Sequence, residues 1–206
     1  MKHLKLAGLL LVAVMAVIGI GGAGTASATV LCKATETPCS ELNVIKKGAE
    51  VHADLEGRSV FNLTLGYIFE SCTGGTLAAT LSGQGGAAAT VTVATAASSW
   101  TWTGCEGGGV SATQSGELEI HHIAGTDNGT LTGKGFGFKF TSLGSECIYV
   151  PASPGHLGLV TGGALPKIHI NTVFIESKEN LACTPDFVWK ATYKITKPAL
   201  FYVRAS

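Results

Sequence analysis

Phe136-Gly137-Phe138-Lys139-Phe140 sets an aromatic ring at every second position. Successive side chains of an extended strand point to opposite faces, so this spacing gathers the three rings on one side. The same alternation recurs on either side of it. Upstream lie Glu117-Leu118-Glu119-Ile120, Thr90-Val91-Thr92-Val93, Phe61-Asn62-Leu63-Thr64-Leu65 and Val51-His52-Ala53-Asp54-Leu55. Downstream lie Lys167-Ile168-His169-Ile170-Asn171 and Lys190-Ala191-Thr192-Tyr193-Lys194-Ile195. Each run offers one apolar face to a core. No segment carries a convincing helical period.

Turn-forming residues separate the runs. Asp127-Asn128-Gly129 fits a tight hairpin, because Asn and Gly tolerate positive φ. Thr73-Gly74-Gly75, Gly83-Gln84-Gly85-Gly86, Gly107-Gly108-Gly109 and Gly162-Gly163 are further breaks. The alanine-rich stretch between Ala87 and Ala97 reads as strand and loop, since Val91, Val93 and flanking Gly and Thr oppose a helix. Many short strands joined by tight turns predict an all-β fold of about 10 to 14 strands. Tight turns favour antiparallel pairing. The expected architecture is an antiparallel β-sandwich, with a β-barrel as the alternative.

The first 28 residues have a different character. Met1-Lys2-His3-Leu4-Lys5 is a short basic start, Leu6 to Ile20 is an apolar run, and Ala26-Ser27-Ala28 ends a small-residue tract. These are the parts of a secretory signal peptide with an A-x-A cleavage site. The run is shorter than the roughly 20 residues of a spanning helix. Leu31 before Cys32 is too bulky for a lipoprotein anchor. The expectation is cleavage after Ala28 and a single extracellular domain over residues 29–206, with a faint two-part layout divided near residue 116. The final residues, Phe201 to Ser206, hold no hydrophobic tail, so no membrane attachment is expected after cleavage.

Residues 29–206 hold two more acidic than basic residues, and Lys46-Lys47 is their densest basic point. That balance gives no electrostatic case for nucleic acid or for an anionic membrane. All six cysteines lie in this part: Cys32, Cys39, Cys72, Cys105, Cys147 and Cys183. An even number in an exported chain implies three disulfides, and six cysteines allow about 15 pairings. Cys32 and Cys39 enclose a short loop containing Pro38. The remaining four each follow a β-rich run, and sequential pairing is expected: 32–39, 72–105 and 147–183. The close Cys or His pairs of a zinc site do not occur, so neither metal nor cofactor is expected.

Candidate chemistry is sparse. His121-His122 suggests a metal pair, but neighbours on a strand point apart, and only a facing residue such as His169 would complete a site. Glu117 and Glu119 share one strand face, which is the minimum for paired-carboxylate hydrolysis, though a solvated face is the commoner meaning. Gly144-Ser145-Glu146 is too short for a nucleophile elbow, and Gly133-Lys134-Gly135 lacks the spacing of a phosphate loop. Trp100 and Trp102 share one face just before Cys105 and form the better lead. Exposed, they would stack on sugar rings; buried, they pack beside a cystine. Trp189 and Tyr193 read as core. Asn62-Leu63-Thr64 and Asn128-Gly129-Thr130 fit a glycosylation sequon, relevant only in a eukaryotic host.

Leu31-Cys32-Lys33-Ala34-Thr35-Glu36-Thr37-Pro38-Cys39 resembles the mature start of a family of secreted actinobacterial proteins with an L-C-K-A-x-E-x-P-C opening. Trp102-Thr103-Gly104-Cys105 and the stretch Trp189 to Pro198 are further echoes. The resemblance implies export, paired cysteines and a bacterial host, and carries no activity or site residues. The functional expectation is a non-catalytic secreted domain with a structural or interaction role at the cell envelope. The alternatives are a carbohydrate-binding module using Trp100 and Trp102, and a hydrolase. An envelope component or polysaccharide is the expected partner class.

Overall fold

A computed structural model describes residues 28–63, 68–86, 90–94, 99–106, 116–142, 145–152, 155–177 and 181–206. The leader therefore lies outside the described residues. The described residues form fourteen strands: β1 (Thr29–Cys32), β2 (Glu50–Leu55), β3 (Ser59–Leu63), β4 (Ile68–Leu81), β5 (Val91–Ala94), β6 (Trp100–Glu106), β7 (Glu117–His122), β8 (Gly129–Lys134), β9 (Phe138–Ser142), β10 (Ser145–Pro151), β11 (His156–Thr161), β12 (Lys167–Glu176), β13 (Asp186–Lys197) and β14 (Tyr202–Ala205). Within them the sequence alternation becomes burial. Phe187, Trp189, Ala191, Tyr193 and Ile195 point inward from β13, and Val188, Lys190, Thr192 and Lys194 point out.

Eight strands close a ring in the order β2–β4–β5–β7–β8–β11–β12–β13 and back to β2, every pair antiparallel. Of the two architectures left open by the sequence, the ring is the barrel. It draws strands from both sides of residue 116, so the two portions of chain build one body. Val51, Leu77, Leu118, Ile120, Leu131 and Ile168 fill its interior around a void of only about 20 Å³. The outer wall carries Glu117, Glu119 and His121 on β7, and Thr130 and Thr132 on β8. An apolar inside and a polar outside is the reverse of a membrane-spanning barrel.

Three strands outrun the ring: β4, β12 and β13, of 14, 10 and 12 residues. Their overhangs support a second, open sheet in the order β6–β4–β3–β13–β12–β10–β9. This sheet curls until Trp102 on one edge strand meets Phe138 on the other, ring centres 5.8 Å apart. Its hollow is packed with aromatic rings. Phe61 stacks on Trp189 at 5.9 Å, and Phe138 meets Trp189 edge-on at 4.9 Å. Edge-on and offset pairs suit the ring quadrupoles and stabilise beyond simple burial. Phe136, Phe138 and Phe140 all lie buried here, although β9 begins only at Phe138.

β2 and β3 are successive parts of one path between β4 and β13. Leu55 lies opposite Tyr193 and Val60 opposite Lys190. Residues 56–59 thus face only Ala191 and Thr192. The excess arches outward at Gly57, whose φ of 83° suits a residue without Cβ. Extra residues of this kind bend a strand and re-aim its side chains. Close approach fixes another glycine: a Cβ on Gly158 would sit 1.9 Å from the His169 carbonyl oxygen. A two-stranded ribbon, β1 with β14, lies against the ring, pairing Thr29 with Ala205 and Cys32 with Tyr202. Beside it Phe201, 1% exposed, lines the ring's void.

Candidate functional site: an outer groove at the strand break

The arch between β2 and β3 walls one side of an open groove of about 620 Å³ on the outer face. Glu56 and Arg58 come from the arch, and Val60 and Asn62 from β3. His169 and Asn171 come from β12, and Lys190 and Thr192 from β13. Strand pairing sets these side by side, with Asn171 opposite Lys190 and His169 opposite Thr192. Concave surfaces that converge several polar groups are where ligands and partners are held.

Most of the charge in the groove is already engaged. Lys167 Nζ donates to Glu56 Oε2 at 2.6 Å, and this bond holds the Glu56 carboxyl below its ordinary value. The Arg58 guanidinium donates to Glu106 Oε1 at 3.1 Å, tying the arch to β6. His169 is gripped from both sides. Its Nε2 lies 3.4 Å from Thr161 Oγ1 and its Nδ1 3.4 Å from Thr192 Oγ1. Among the described residues, Lys190 has no carboxylate within ion-pair distance. What remains on offer is the Lys190 ammonium beside the carboxamides of Asn62 and Asn171, a set that donates and accepts hydrogen bonds across an open surface.

The residues singled out by sequence lie elsewhere. Cys32 is joined to Cys39, Cys72 to Cys105 and Cys147 to Cys183. Cys72 and Cys105 are direct partners across β4 and β6. Glu36 approaches the first cystine and Glu70 the second, with potential ligand atoms within 4.8 Å of one another. With the sulfurs bonded to each other, neither group offers a thiolate to a cation.

Trp100 and Trp102 share a face as expected, and that face points into the aromatic hollow. Their rings stack at 6.1 Å, and Trp100 also meets Phe136, Trp189 and Tyr193. Trp100 is 4% exposed and Trp102 is partly buried against the core, so neither presents a flat open platform to a sugar. Glu117 and Glu119 sit on the outer wall of β7. Glu117 pairs across with Lys134, and Glu119 lies beside His121 with an N–O distance of 3.9 Å.

His121 and His122 point apart. The His121 ring reaches Thr132 Oγ1 at 3.3 Å, whereas His122 Nε2 lies 2.8 Å from the Thr126 carbonyl oxygen. His169 stands with neither of them. Of the two sequons, Asn62 is in the groove, and Asn128 Oδ1 accepts a hydrogen bond from Gly162 N. Sequence reasoning passed over Glu56, Arg58 and Lys190. The available signal was the break in alternation at Glu56-Gly57-Arg58 between two well-patterned runs.

Comparison of the chain with protein-family models, curated proteins and solved structures finds no match.

Proposed function

We propose that this chain is a non-catalytic extracellular β-domain, exported through its leader, that serves a structural or interaction role at the cell envelope through its outer groove. The single observation that carries this reading is the condition of the groove. Its carboxylate, guanidinium and imidazole are each held by a neighbouring side chain, and its opening is broad. General acid–base catalysis asks for a group free to exchange a proton with a bound substrate. A groups-engaged, shallow surface suits contact with a polymer or a protein instead. Three cystines and a polar outer wall support life outside the reducing cytoplasm. The carbohydrate reading based on Trp100 and Trp102 is not carried further, because both rings serve the core.

The test is export followed by binding. The protein recovered from the medium or envelope of a bacterial host should begin at Thr29 and contain no free thiol. It should cosediment with cell-wall material, and Arg58→Ala with Asn171→Ala should reduce that retention while leaving the far-ultraviolet spectrum unchanged. Release of soluble wall fragments by the native protein, lost in the same variant, would overturn the non-catalytic assignment. A retained leader would overturn the assignment to the exterior.

A further inference from the structure

We propose that the outer face of the β10, β12 and β13 wall docks a second copy of this chain. Five aliphatic side chains point outward there: Ile148 and Val150 from β10, Val173 and Ile175 from β12, and Val188 from β13. They are contiguous, since Val150 lies opposite Ile175 and Val173 opposite Val188. Ile148, Val173 and Ile175 keep 40%, 39% and 41% of their surface exposed. On the opposite wall the outward positions of β7 and β8 are Glu, His, Thr and Lys. Scattered exposed aliphatics need no explanation, but five at neighbouring register positions of three paired strands mark an interaction surface.

The charges beside the patch identify the occupant. Asp186, Val188 and Lys190 follow one another at successive outward positions of β13. A two-fold axis crossing the strands at the level of Val173 and Val188 lays these residues on their own copies. It also reverses strand direction, which sets Lys190 of each copy against Asp186 of the other. A dimer of this type requires one surface that complements itself, and this arrangement supplies it. A partner carrying one sign of charge would match one end of the patch and oppose the other. The patch is only three strands wide, about 15 Å at the usual strand spacing. That falls well short of the roughly 800 Å² per partner of a standard interface, so the association is weak and concentration-dependent.

Sedimentation equilibrium of the intact oxidised protein tests this over about 1 µM to 1 mM, the range of weak interfaces. A reversible monomer–dimer equilibrium is expected, abolished by Val173→Lys with Val188→Lys. Lys190→Asp and Asp186→Lys should each weaken it about tenfold by setting like charges together. The two combined should restore it. Circular dichroism checks that each variant keeps its fold. A native protein that stays monomeric over the whole range overturns the proposal. So does a dimer indifferent to the two lysines, or a combined charge exchange that fails to recover association.

Discussion

Replacing both members of the second cystine, Cys72→Ala with Cys105→Ala, tests how the open sheet is held. The residues lie 33 apart in sequence. Freeing a loop of that length in the unfolded chain costs about 3.7 kcal/mol in the chain-entropy model. Cys72 is fully buried, and loss of its sulfur from the core adds on the order of 1 kcal/mol. For a domain of this size each kcal/mol moves the melting temperature by about 2 to 4 °C, so a fall of roughly 10 to 15 °C is expected. The same exchange at Cys32 and Cys39, only 7 apart, should cost about 2.4 kcal/mol. The larger loss also has a local signature. Among the described residues β6 is paired only with β4, and it carries Trp100 and Trp102 into the aromatic hollow. Tryptophan emission of the first variant should shift to the red before global unfolding. Thermal and urea unfolding followed by circular dichroism and by emission give both readings. If the variant at Cys32 and Cys39 loses as much stability as the one at Cys72 and Cys105, the loop-length argument fails. If emission and circular dichroism change together in both, the special dependence of β6 on its cystine is wrong.

Other expectations follow from burial and charge. Leu131, 1% exposed, borders the small void in the ring, and Leu131→Ala should destabilise by about 3 to 4 kcal/mol in urea titration because rigid walls cannot collapse onto the space. Trp189→Phe keeps a ring in the hollow but leaves the Ser59 hydroxyl without the indole donor it accepts from at 2.9 Å, and a loss of about 2 to 3 kcal/mol is expected by the same measurement. Hydrogen bonds from the Ser40 hydroxyl, Asn43 and the Ser40 amide hold the Glu36 carboxyl below its ordinary value of 4.5. The stabilisation from these bonds is therefore present above that value and lost as pH falls through the lowered one. Glu36→Gln should remove this part of the pH dependence, read as a stability difference from the native protein that shrinks on acidification below about pH 4.

Local patterning made much of this fold legible. The alternation in Glu117-Leu118-Glu119-Ile120 and in Lys167-Ile168-His169-Ile170 appears in the structure as inward aliphatics and outward polar groups. The connection joining β7 to β8 ends at Asp127-Asn128, but it turns earlier than expected: Gly125 takes the positive φ, and Gly129 already opens β8. Periodicity of two reports only which face a residue takes, and says nothing about which strand lies beside it. Hence the ring closure between β2 and β13, about 140 residues apart, could not be read, nor could the sharing of β4, β12 and β13 by ring and open sheet. The same limit hid the groove. Asn171 and Lys190 are ordinary outward residues in their own strands and become neighbours only through pairing. Trp100 and Trp102 show the converse, because a shared face in sequence did not disclose whether that face looked inward.

The seam where Leu55 meets Tyr193 and Ala53 meets Ile195 has a consequence for the order of assembly. A chain synthesised from its amino terminus presents the first strand of the ring long before the last. Until the segment around Ile195 has emerged, β2 has a neighbour on only one side and the cylinder stays open. The cylinder therefore closes last of all along this seam, after nearly every other pairing of the ring has its partner at hand.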